Sequence, residues 1–110
     1  MDEKLSFETG THGDWKLLIP KGRIDTTTAG EAEQVGMKEL EGAGKLAMDL
    51  TQLDYLSSAG LRVLLKMAKK SRAAGGEFAL CGAKGVVREV LEESGMDTII
   101  NTVDDVRDLD

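Results

Sequence analysis

Two adjacent hydroxyls, Ser57 and Ser58, stand between the apolar pair Tyr55-Leu56 and the run Ala59-Gly60-Leu61 in DYLSSAGLRVLLKMAKK, residues 54–70. A serine in such a place can serve as a nucleophile, as a helix cap or as an acceptor of a phosphoryl group. Nucleophilic use needs a base and an exposed elbow. The one histidine, His12, lies in GTHGDW, which reads as a turn, and neither serine sits in a glycine-bracketed elbow. Metal chemistry fares no better, since one histidine and one distant cysteine do not make a nitrogen and sulfur ligand set. The 13 glycines include no GxxxxGK[ST], and GRIDTTTAG has neither that spacing nor the lysine. The acidic pairs Asp104-Asp105 and Glu92-Glu93 fall in polar helical stretches and read as solvated faces. The expectation is a non-enzyme without a cofactor.

The elements that must carry the two serines follow from hydrophobic period. KLSFET places Leu5 and Phe7 on one face and WKLLIPKG places Trp15, Leu17 and Ile19 on one face, which predicts two strands joined as a hairpin. The period then changes. Ala29, Ala32, Gly36 and Leu40 recur at helical spacing, with Thr28 and Glu31 as a capping box and Gly42 or Gly44 as the stop. KLAMDL reads as a buried strand. From Ser58 onward Leu61, Leu64, Leu65 and Ala68 form a helical stripe ended by AAGG at 73–76. EFALC is a strand with Cys81 as core filling. VVREVLEESG is a helix on Val87, Val90 and Leu91 ended by Gly95, TII is a brief strand, and VDDVRDL is a last short helix.

The resulting order, β-β-α-β-α-β-α-β-α, predicts one α/β domain over residues 1–110, with a mostly parallel sheet, an antiparallel N-terminal hairpin edge and packed helices. A net charge of −6 disfavours nucleic acid and acidic lipid, and no apolar run is long enough to insert into a membrane. The acidic opening MDEKLSFETG lacks the basic-then-apolar order of a secretory signal, which points to the cytoplasm. Oligomeric state stays open. Arg62, Lys66, Lys69 and Lys70 form a basic stripe opposite Leu61 and Leu64; the lysines suit the negative end of the helix dipole, while Arg62 lies nearest the serines.

A cap requires only one serine. The second hydroxyl, beside small residues at a helix start, suits a phosphoryl group, which adds about −1.5 to −2 charges and three acceptor oxygens. A helix N-terminus tolerates that charge, whereas a partner protein packed over it would have to desolvate a dianion.

These residues reach a known pattern. DLTQLDYLSSAGLRVLL, Asp49 to Leu65, resembles the signature of STAS domains, particularly anti-sigma factor antagonists, and GRIDTTTA at 22–29 resembles their strand-to-helix loop. The resemblance implies that Ser58 is the phosphoacceptor of an anti-sigma factor that doubles as a serine kinase and brings its own ATP and Mg²⁺, with a serine phosphatase resetting the switch. It also implies a partner surface at Asp25, Thr26, Thr27, Tyr55, Leu56, Gly60 and Leu61, to which the adjacent Ser57 and Arg62 are added; Tyr55 and Leu56 equally suit the core, and Asp25 equally suits a cap of the first helix. The chain departs from the pattern at Ser57, a position usually filled by Asp, which leaves Ser57 as a competing acceptor. Two other readings keep the fold: a noncatalytic STAS subunit of a lipid-transport or signalling assembly without a phospho-switch, and a small-molecule sensor.

Overall fold

The alternation at the N-terminus becomes an antiparallel hairpin in a computed structural model that describes residues 4–110; the first three residues of the acidic opening lie outside it. Strands β1 (Leu5–His12) and β2 (Trp15–Ile24) pair from Leu5 opposite Gly22 to His12 opposite Trp15. The ten-residue β2 then serves two further neighbours in succession. Its first half pairs in parallel with β3 (Lys45–Asp49), and its last residues pair in parallel with β4 (Leu53–Leu56). Beyond β3 come β5 (Glu77–Cys81) and β6 (Asn101–Val103), both parallel, so the sheet runs β1-β2-β3-β5-β6 with β4 attached to β2. A mixed sheet with one antiparallel hairpin is therefore present as expected.

Among the described residues four α-helices accompany it: α1 (Ala29–Leu40), α2 (Ser58–Ala73), α3 (Gly85–Glu93) and α4 (Met96–Ile99). Strand alternation sorts the interior into two cores. Leu18, Leu46, Met48 and Leu80 join Val63, Leu64, Met67 and Leu91 in the larger one, while Leu17, Ala47, Ala79 and Cys81 join Trp15 and Leu109 in a smaller one. The C-terminal segment closes the smaller core: Val106–Asp108 forms a 3-10 helix, and the Trp15 indole N–H donates to the Asp110 carbonyl at 2.6 Å. Burial pushes the Cys81 thiol up to about 12, and its Sγ lies 3.7 Å from the Met48 carbonyl oxygen, consistent with a filling role.

Several local expectations are corrected. LDYL, too short to show a period, forms β4 because β2 offers it an unpaired edge past the end of β3. The segment around TII is helical through Ile99 as α4, and the strand moves on to Asn101–Val103, which shortens the last helix to one 3-10 turn. On α2 the buried face is Gly60, Val63, Leu64, Met67 and Ser71; Leu61, Leu65 and Ala68 flank it. That rotation lets Met67 meet α1 at Gly36, where a Cβ would come within 2.5 Å of the Met67 sulfur. The capping box at Thr28 and Glu31 does not form, because the Thr28 hydroxyl bonds backward into the loop instead.

One glycine makes the β2 junction possible. The ladder shifts register between Gly22 and Arg23, Gly22 has φ of +108°, and a Cβ there would collide with the Lys4 carbonyl oxygen. A side chain is thus opposed both by backbone conformation and by main-chain contact. Gly22→Ala is expected to destabilise the fold by more than about 1 kcal/mol in urea unfolding; unchanged stability would contradict the assignment of strain to this bulge.

Candidate functional site

The ends of β2 and β4 lie side by side, with Arg23 opposite Tyr55 and Ile24 opposite Leu56, and both strands then turn into helices. The Ser57 amide donates to the Ile24 carbonyl at 2.9 Å, which anchors the start of α2 to the end of β2. Loop 25–28 and the first turn of α2 therefore emerge at one end of the sheet. Such carboxyl ends of parallel strands are where open α/β proteins usually meet other molecules.

The two serines have different roles. Ser57 has extended backbone (φ −92°, ψ 175°) and is the N-cap: its Oγ accepts from the Gly60 amide at 3.3 Å, while its carbonyl accepts from Leu61 N–H at 2.9 Å. Ser58 is the first helical residue, and its side chain is exposed. The departure from Asp at position 57 keeps the capping role, since Ser and Asp are comparable N-caps.

Gly60 is not an open approach to the helix tip. It is buried, and a Cβ would come within 2.5 Å of Leu56 Cδ1 and 2.9 Å of Ile24 Cγ2. Leu56 is likewise 1% exposed. These two residues set how closely α2 sits on the strand ends. Tyr55, Leu61 and Ser57 are half-buried, whereas Thr26, Thr27, Ser58 and Arg62 are exposed.

Loop 25–28 is ordered by its own side chains. One Asp25 carboxylate oxygen accepts from the Thr27 amide at 2.9 Å and the Thr27 hydroxyl at 2.7 Å. The Thr28 hydroxyl donates to the Arg23 carbonyl and accepts from the Asp25 amide, each at 2.9 Å. The Thr27 hydrogen bonds hold the Asp25 carboxyl below the usual carboxylate range. The stability they add is present above the ordinary carboxylate pKa and is lost as pH falls through the lowered value.

Two cations that sequence patterns did not single out stand beside this loop. Lys4 Nζ reaches the Thr27 hydroxyl at 3.4 Å. The Arg23 guanidinium lies 4.4 Å from the Tyr55 ring centroid and places Nε 3.7 Å from Asp25 Oδ2. The pairing of Arg23 with Tyr55 depends on β4, so it was not visible without that strand. At the same end of the sheet, Val86 on the first turn of α3 is 46% exposed. Among the described residues, no group of three or more His, Cys, Asp or Glu side chains is placed to hold a metal, and no helix is long and apolar enough to cross a membrane.

Comparisons with known proteins agree with this fold. A model of the STAS domain matches residues 6–109. BtrV of Bordetella bronchiseptica, assigned as an anti-sigma factor antagonist, is 42% identical over 76 residues, which cover 68% of this chain. The match spans 66% of that relative's length. An anti-sigma factor antagonist from Mycobacterium paratuberculosis superposes with a TM-score of 0.85 at 22% identity, covering 94% of this chain and 89% of the other. The phosphorylated form of the Bacillus cell fate determinant SpoIIAA superposes with a TM-score of 0.65 at 16% identity, covering 88% and 90%. At those identities the two structural likenesses speak to the fold.

The division of labour between the hydroxyls predicts unequal costs. Ser57→Ala is expected to lower unfolding free energy by about 0.5–2 kcal/mol through loss of the cap, whereas Ser58→Ala should stay within about 0.5 kcal/mol of wild type. Chemical denaturation of both variants checks this, and a larger loss at Ser58 would reverse the assignment.

Proposed function

Because the chain belongs to the STAS-domain family, whose anti-sigma factor antagonists are non-catalytic regulators, we propose that it is itself such an antagonist, switched by phosphorylation at Ser58. In the unmodified state it binds an anti-sigma factor and so releases a sigma factor. The same partner, acting as a serine kinase with its own ATP and Mg²⁺, modifies Ser58, and a serine phosphatase restores the starting state. The Ser58 oxygen forms the new bond to the γ-phosphorus as the bond to the ADP oxygen breaks, and the hydroxyl proton leaves to base.

The observation that carries this reading is the exposed Ser58 hydroxyl beside a Ser57 already committed as cap. Phosphate on Ser57 would displace an interaction that starts α2. Phosphate on Ser58 extends from the first helical turn into solvent, where the helix end tolerates negative charge. A partner docked over the same spot would have to strip water from a dianion, at a cost on the order of several kcal/mol. At about 1.4 kcal/mol per tenfold in affinity, even part of that cost separates bound from free. The surrounding surface would comprise Thr26, Thr27, Tyr55, Leu61 and Arg62, with Asp25 ordering the loop and Leu56 and Gly60 supporting it from below. The phosphorylated form known for SpoIIAA supports this chemistry by analogy.

Purification with the anti-sigma factor encoded in the same host, followed by binding titration, tests the proposal. Ser58→Asp should weaken binding at least about tenfold while leaving the thermal midpoint in place. Ser58→Ala should bind like wild type and take up no phosphate from ATP. Equal binding by the Asp variant, or phosphate confined to Ser57, would overturn the reading.

A further inference from the structure

The solvent-facing row of α2 begins Ser58, Arg62, Lys66, each residue one turn from the next and each exposed. Lys66 is already engaged, with Nζ 3.0 Å from Glu33 Oε1 on α1. Among the described residues Arg62 and Arg72 have no carboxylate within ion-pair distance, whereas Arg23 and Arg107 each have one and Arg88 has two; of the two unpaired arginines only Arg62 lies in the first turns of α2, Arg72 being at its far end. An unengaged guanidinium therefore stands one turn from the proposed phosphoacceptor. Positions i and i+4 on a helix are neighbours, with Cβ atoms about 5–6 Å apart.

We propose that Arg62 receives the phosphoryl group of Ser58 within the same helix, as a phosphoserine–guanidinium pair that lays the modified side chain along α2. The inference rests on Ser58 being the site of modification and adds how the modified state is held. Chemistry favours the match: a guanidinium presents paired N–H donors in the fork that phosphate oxygens accept, and such charge-assisted bonds are stronger than neutral ones. Spacing favours Ser58 over its neighbour. Ser57 is five residues from Arg62 and lies outside the helix, where its oxygen already faces the Gly60 amide. In the unmodified chain Arg62 remains free for the partner surface, so one side chain has a different companion in each state. Pairing with phosphate would withdraw it from that surface at the moment the dianion appears.

The test uses the full chain carrying phosphoserine at position 58, introduced by genetic encoding, alone and combined with Arg62→Gln or Lys66→Gln. Titration by phosphorus NMR reads the second ionisation of the phosphate. The dianion should titrate lower in the native background than with Arg62→Gln, by roughly 0.3 pH unit or more, while Lys66→Gln should change it little. The helix dipole acts alike in all three proteins and cancels. Equal titration in the native and Arg62→Gln backgrounds, or a larger change from Lys66→Gln, would overturn the pairing. Without phosphoserine, Arg62→Gln should leave the thermal midpoint unchanged; a clear fall would mark Arg62 as structural and count against the proposal. Peptide mass spectrometry of the chain from its own host judges the underlying switch separately. Absence of phosphate on Ser58 there would remove the regulatory reading without affecting the titration result.

Discussion

The hydrogen bond from the Ser57 amide to the Ile24 carbonyl joins the two segments on which the candidate site depends. It fixes where α2 begins relative to the end of β2, and the absence of a side chain at Gly60 lets the helix settle onto Leu56 and Ile24. Ser57 also closes the first turn through its hydroxyl. Anchor, cap and close contact all face inward or along the chain. The next residue is thereby left with its oxygen in solvent and no structural duty.

That separation would make the proposed covalent switch compatible with a small fold. A domain of this size has a stability margin of only about 5–15 kcal/mol, so a modification that also removed a cap or disturbed packing would change folding together with binding. Here the capping hydroxyl and the exposed hydroxyl are adjacent but distinct. The neighbouring loop has its own restraint: Asp25 accepts from Thr27 twice, and Thr28 ties the loop back to Arg23 and Asp25. The surface beside Ser58 is consequently preorganised, so the binding proposed for it would cost less in ordering than a floppy loop would.

Away from this end, the sheet and the helices have simpler tasks. The larger core uses strand residues such as Leu46, Met48 and Leu80, while the alternate residues Ala47, Ala79 and Cys81 are small enough for the C-terminal turn to close over them with Leu109. One helical layer and one short cover therefore suffice for both faces. Arg62 illustrates the opposite design, an exposed side chain whose neighbours leave its charge unmatched among the described residues, in contrast to Lys66 and its ion pair to Glu33.

Periodicity by itself determined the strands at Leu5, Trp15, Lys45 and Glu77, the three longer helices, and the presence of two hydroxyls at the start of one of them, because each of those features is written in residues close together in the chain. Ala32, Gly36 and Leu40 are buried on α1 as their spacing predicts. It could not reveal β4, four residues whose extended state comes from an edge of β2 that is remote in sequence. It set the buried stripe of α2 at the leucines, whereas packing against α1 turned Val63 and Met67 inward. It proposed a capping box at Thr28, where the tertiary loop took that hydroxyl for its own backbone. And it presented Ser57 and Ser58 as near equivalents; only the anchoring of α2 to β2, which sets one as cap and the other as first helical residue, distinguished the oxygen facing the backbone from the oxygen facing water.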